Sequence, residues 1–188
     1  FNKEIKLTGD ATTFDDLQVS LSNIKLPSSN APEDRLYACG VSGGVTFPFL
    51  GFALNEYVYF DVQTSHSMTL ESALKHHIHY TLPDTTTIGD TFKFQLDVLA
   101  AGVNGTWTVP TGSPFSSEGT VAADDDTSHR VLGIANIDGA NTTVSSIYKC
   151  KLTRVASSGD EYAGEVYLTF TDCHYERDSL GSDDEYVK

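Results

Sequence analysis

Short runs in which apolar and polar residues alternate strictly recur along the whole chain, and this pattern constrains the fold more than any other feature. Phe92, Phe94, Leu96 and Val98 alternate with Lys93, Gln95 and Asp97, the signature of a half-buried strand. Leu74, His76, Ile78 and Tyr80 fall on one face of a second such run, with Lys75, His77 and His79 on the other. Leu17, Val19 and Leu21, the aromatic and β-branched run Val58–Gln63, and the late segments 147–155 and 166–175 continue the pattern. A helical period is sustained nowhere; the one helix candidate, 68–76, runs directly into the histidine-rich strand. Clusters of Gly, Thr, Ser and Asp at 42–46, 84–90, 112–120 and 122–128 read as loops. The expected fold is all-β: an antiparallel β-sandwich, jelly-roll-like, with long loops and little helix. The 188 residues suit a single sandwich domain, 1–188. Few large apolar residues precede about Asn30, so residues 1–30 are expected to form an extended arm along a neighbour.

Charge narrows the classes of partner. Twelve Lys and Arg against 26 Asp and Glu give a net charge of −14, which argues against direct nucleic-acid binding and against an anionic membrane surface. No apolar run reaches the roughly 18 residues of a membrane-spanning helix, and the polar stretch 1–10 does not read as an intact secretory signal. Cys39, Cys150 and Cys173 form no C-x-x-C pair; the last two lie in strand-like segments and read as small buried hydrophobes, with little demand for an oxidising compartment. Asp124-Asp125-Asp126 lacks the glycine and closing glutamate of a calcium loop and reads as a solvated turn, as does the acidic run Asp183-Asp184-Glu185.

The histidines carry the sharpest chemical signal. His77 and His79 are two apart in a strand, which puts both on one face with Cα atoms about 6.5 Å apart. Two imidazoles so placed can converge on one metal ion with nitrogens near 2 Å from it. Asp172, His174 and Glu176 share a face of the last strand; if that strand lies beside the first, His77, His79 and His174, with Asp172, form one cluster. His77, His79 and His174 are the candidate ligands should a structural ion be bound, the alternative being histidines satisfied by hydrogen bonds within or between subunits; no cofactor is assigned, and His66 and His129 stand alone. The cupin template, H-x-H followed by Glu three or four residues later, is not met: the first acidic residue after His79 is Asp84, and the second cupin motif finds no convincing counterpart. Nucleophile elbows, catalytic-cysteine signatures and phosphate-cradling loops are absent, so no catalytic residues are assigned and the chain is expected not to be an enzyme. Trp107 could serve a sugar-binding platform, although a lone indole commonly lies in a core or interface.

The ordered segments resemble a family of structural proteins of tailed bacteriophages. Phe14-Asp15-Asp16-Leu17-Gln18-Val19 is similar to an early D-D-L strand of that family, and Tyr59-Phe60-Asp61-Val62-Gln63-Thr64-Ser65-His66 to its yF-x-V-Q-x-x-H segment. His77-Ile78-His79-Tyr80 resembles H-x-H-W with Tyr80 for Trp. The block 139–154, ending Cys150-Lys151-Leu152-Thr153-Arg154, resembles G-x-x-x-x-I-S-S-x-x-x-C-R-L-x-R. Asp160-Glu161-Tyr162-Ala163-Gly164 and the stretch 172–182 resemble D-x-Y-x-G and D-x-H-Y-x-x-D-x-L-G-S. The chain departs from the pattern at Lys75 and His76, where relatives tend to carry His and Pro.

The resemblance implies a virion component, on the head, neck or tail, whose partners are other virion proteins. A β-sandwich of this kind suits self-assembly with closed symmetry, a trimer being favoured. Phe47, Phe49 and Phe52, around Pro48, form a dense apolar stretch that reads equally as a core edge strand or as an interface anchor. The alternative is a carbohydrate- or receptor-binding module using Trp107 and loop tyrosines, with a cupin-like metal protein as a third reading.

Overall fold

The computed structural model describes residues 7, 13–140 and 142–182. The run Asp183–Glu185 and most of the polar N-terminal stretch lie outside the described residues. The described residues form ten strands: β1 (Thr13–Ser20), β2 (Glu33–Tyr37), β3 (Phe47–Phe52), β4 (Tyr57–Gln63), β5 (Glu71–Thr81), β6 (Thr91–Ala101), β7 (Phe115–Thr120), β8 (Arg130–Gly139), β9 (Ile147–Val155) and β10 (Val166–Arg177). The helix candidate at 68–76 is not helical: β5 starts at Glu71, and Met68 makes an isolated antiparallel bridge to Arg177. None of the described helices is long and apolar enough to cross a membrane.

The pairings form a nested set. The β6–β7 hairpin is innermost, and β5·β8, β4·β9 and β3·β10 pair successively around it, all antiparallel. Rolling this long ribbon on itself brings β9 beside β6 and β10 beside β5. The result is two sheets, β3-β10-β5-β8 and β4-β9-β6-β7, which is the jelly-roll arrangement expected from the sequence. Two strands extend the first sheet: β2 pairs with β3, and β1 with the C-terminal half of β10.

Alternation sets which side chains enter the core. Phe92, Phe94, Leu96 and Val98 of β6 are buried, while Lys93, Gln95 and Asp97 between them stay partly exposed. Leu74, His76, Ile78 and Tyr80 of β5 point inward from the opposite sheet, and Tyr80 meets Phe92 edge-on at 5.1 Å. Each large apolar side chain so buried contributes roughly 1.5–3 kcal/mol. Gly119 of β7 lies against Phe92 so closely that a β-carbon there would run into the ring.

The charge of Arg154 is built into this core. Arg154 of β9 is 1% exposed, and its guanidinium donates to the carbonyls of Phe52, Tyr162 and Gly164 and to the Glu161 carboxylate at 3.0 Å. It thereby ties the loop 160–164 to β3 and β9. The segments ending at Arg154 and at Gly164 are thus one hydrogen-bonded unit.

Two expectations need correction. The described part of the N-terminal region is not an arm reaching to a neighbour. Residues 13–20 form β1 on the chain's own sheet, Val19 enters the core, and Lys25 bridges Tyr59. Two inward apolar side chains, Leu17 and Val19, suffice because β10 supplies the other half of the ladder. The acidic triplet is not uniformly solvated either. Asp125 is buried, accepting from Ala122 N–H at 2.8 Å and Arg130 Nε at 2.6 Å, while its carbonyl accepts from Leu82 N–H and Thr81 Oγ1. The middle carboxylate therefore closes the loop before β8.

Candidate functional site

The rolled ribbon sets β10 between β5 and β1, with Asp172 opposite His77 and His174 opposite Asp16. Because His77, His79, Asp172 and His174 all occupy outward positions, their side chains meet on the outer face of the larger sheet. Asp172 lies at the centre and is only 3% exposed, its cover supplied by the imidazoles. His77 Nδ1 is 3.5 Å from Asp172 Oδ1, His79 Nε2 is 3.2 Å from Oδ2, and His174 Nε2 is 3.4 Å from Oδ2. Asp16 adds a more exposed carboxylate 3.1 Å from His174 Nε2. The cluster forms within a single chain.

The three histidines divide by role. One ligand atom from each of His77, Asp172 and His174 lies within 4.8 Å of the other two. His79 is not one of that set: it hydrogen-bonds Asp172 Oδ2 through Nε2, and its Nδ1 meets His129 Nε2 at 2.7 Å. One consistent proton placement has His129 Nε2–H donating to His79 and His79 Nε2–H donating to Asp172, with both rings neutral. Phe170 stacks on His79 with centroids 4.0 Å apart and holds that ring in place. His79 thus orients the carboxylate, in the manner of an outer-shell partner.

Two atoms of the cluster are unsatisfied. His77 Nδ1 and Asp172 Oδ1 are buried, face one another, and have no hydrogen-bond partner among the described residues. Leaving a buried polar atom unpaired costs about 1–3 kcal/mol, and more when it is charged. Burial also holds the His77 imidazole below its ordinary pKa, an effect that His174 reinforces and Asp172 opposes. The His79 pKa is lowered by burial too, against the pull of Asp172. These shifts favour neutral rings, the state in which imidazole nitrogen offers a lone pair.

The remaining residues singled out in the sequence lie elsewhere. His76 points into the core, stacks on Phe60, shares a 2.6 Å hydrogen bond with Thr171 Oγ1, and is driven by burial to a pKa of about 3. His66 bridges Ser182 and Ser145. Cys150 and Cys173 are free and buried, and burial raises both thiols. Phe52 is a core residue rather than an interface anchor, meeting Phe94 at 5.4 Å. Phe49 is also buried, stacked on Tyr167, and only Phe47 of the three faces solvent. The strand that holds them is not an edge, since β2 pairs outside it. Trp107 is 46% exposed on the loop after β6, beside a cleft of about 450 Å³ that Thr106, Thr108, Thr111 and Asp138 help to line.

His129 and Asp16 join the cluster without being marked as site residues by the sequence. The D-D-L segment was the only local signal for Asp16; nothing near His129 distinguishes it.

No protein-family model matches the sequence, and no curated protein does. Among solved structures, a xylan-binding domain of carbohydrate-binding family 22 aligns over 89% of this chain and 97% of its own, at 10% identity and a TM-score of 0.40. A family 28 module specific for non-crystalline cellulose aligns over 83% and 87%, at 11% identity and 0.37. The structure of infectious bursal disease virus aligns over 94% of this chain and 37% of its own, at 10% identity and 0.33. With TM-scores below 0.5, these likenesses assign neither ligand nor partner to the chain, whose β-sandwich architecture stands on its own strand pairings.

Proposed function

We propose that this chain is a non-catalytic structural subunit of a tailed-bacteriophage particle that works through protein contacts, including contacts with its own copies. The observation that carries the reading is the β2–β3 hairpin. Its end exposes Leu36 (72%), Val41, Val45 and Phe47 (55%), and among the described residues one backbone edge of β2 is unpaired. An apolar projection beside an open edge is what a subunit covers on assembly. The ordered motif set supplies the phage context. Apart from the 160–164 loop, its segments fall at least partly on β1, β4, β5, β9 and β10, and three of these are strands that build the histidine cluster.

Mass spectrometry of purified particles of the phage encoding this chain tests the reading: the protein is expected in virions, and its absence refutes it. Sedimentation of the isolated protein tests the surface. A closed oligomer, a trimer by expectation, should revert to monomer in the Leu36→Glu, Phe47→Glu double variant.

A second reading, a carbohydrate-binding module, is favoured by the cleft beside exposed Trp107. On a glycan array, binding that Trp107→Ala abolishes supports it, and no binding by the wild type removes it.

A further inference from the structure

We infer that His77, His174 and Asp172 form a binding site for one divalent transition-metal ion of the Zn(II) class, built wholly within one chain. The inference does not depend on the virion reading, because each contact that carries it is intramolecular.

Three observations support it. The first is spacing. Donors arranged tetrahedrally around Zn(II) at about 2.0–2.1 Å lie about 3.3–3.4 Å from one another. His77 Nδ1 lies 3.5 Å from Asp172 Oδ1, close to that edge length, and His174 Nε2 lies 3.4 Å from the other carboxylate oxygen, Oδ2. One ligand atom from each of the three residues lies within 4.8 Å of the other two, and coordination would draw the more exposed His174 ring inward.

The second is the pair of orphaned atoms. Asp172 is buried, and among the described residues its Oδ1 finds no hydrogen-bond donor and the buried nitrogen facing it, His77 Nδ1, finds no hydrogen-bond partner. A proton between them would satisfy the pair only at hydrogen-bond distance, and 3.5 Å is too long. A cation between them satisfies both at once.

The third is the support around the ligands. Asp172 Oδ2 is held by His79, which is itself fixed by His129 and stacked on Phe170, so the carboxylate is oriented before any ion arrives. Two imidazoles with one carboxylate select a borderline transition metal over Ca²⁺ or Mg²⁺, which prefer oxygen ligands. Asp16, 3.1 Å from His174 Nε2, is the nearest further carboxylate for the fourth position. An ion there would pin β5 to β10 across the seam where the ribbon rolls, a junction that no turn of the chain secures.

The test uses protein purified without a polyhistidine tag, stripped with EDTA and titrated with Zn(II) alone by calorimetry, with thermal unfolding followed in parallel. One Zn(II) per chain and a raised Tm are expected. Asp172→Asn, which keeps the side-chain shape, and His174→Ala should each weaken binding at least tenfold and remove the rise in Tm. His79→Ala should weaken it about 10–100-fold, and His66→Ala should leave it unchanged. Co(II) in place of Zn(II) should give visible d–d bands that Asp172→Asn abolishes. Near-UV circular dichroism confirms that each variant is folded. No stoichiometric uptake by the folded wild type, or uptake that survives in folded Asp172→Asn, overturns the inference.

Discussion

Arg154 and Asp172 are both ionisable side chains with almost no exposure, on strands of opposite sheets, and their surroundings differ sharply. Arg154 is closed in: three backbone carbonyls and Glu161 take its Nη protons, leaving only Nε without a partner. Asp172 is ringed by partly buried imidazoles, has one oxygen held by His79, and presents the other to a nitrogen that has no hydrogen-bond partner among the described residues. A buried charge costs several kcal/mol unless its partners compensate for it. Around Arg154 the compensation is present in the fold itself. Around Asp172 it is incomplete, and the missing part has the shape and chemistry of a metal ion. The contrast separates a residue that holds the jelly roll together from one that prepares a site.

The sharpest way to break this comparison is to remove Arg154. Arg154→Met should cost about 3–5 kcal/mol in chemical denaturation, because Glu161 and three carbonyls lose their donor together; a loss below about 1 kcal/mol would show that its network is not structural. Next in size is Zn(II) itself, which at a hundred times its Kd should stabilise the wild type by about 2.7 kcal/mol. Asp125→Ala should cost about 1–3 kcal/mol, since Ala122 N–H and Arg130 lose a buried acceptor. The smallest effect is expected at the centre of the site. In metal-free protein Asp172→Asn should change stability by less than about 1 kcal/mol, because the amide keeps the His79 contact and removes an undercompensated charge. A large loss there would make Asp172 a structural residue like Arg154.

Much of this architecture was legible because alternation reports facing directly. The inward set on β6 and the outward histidines on β5 follow from counting by two, and so does the outward placement of Asp172 and His174. Which strands adjoin does not follow. His77 and Asp172 are brought together by the rolling of a nested ribbon rather than by a hairpin, so no turn between them marks their pairing. His129 reaches the cluster from just before β8, where sequence offers no periodic cue. β1 resembled an arm because an edge strand needs few apolar residues when its partner supplies the core. In the triplet 124–126 three identical side chains hide the fact that only the middle one is buried. Around Phe47, Phe49 and Phe52, exposure changes along a single strand because its first residue overhangs the end of the core.

The central claim is that His77, His174 and Asp172 hold one metal ion within one chain. A crystal structure of the Zn(II)-loaded protein, with diffraction recorded on both sides of the zinc absorption edge, tests it most directly. The account predicts a single strong anomalous peak per chain bonded to His77 Nδ1, His174 Nε2 and an Asp172 oxygen. A fully titrated crystal with no peak among these three residues, or with zinc bound only elsewhere, would contradict it.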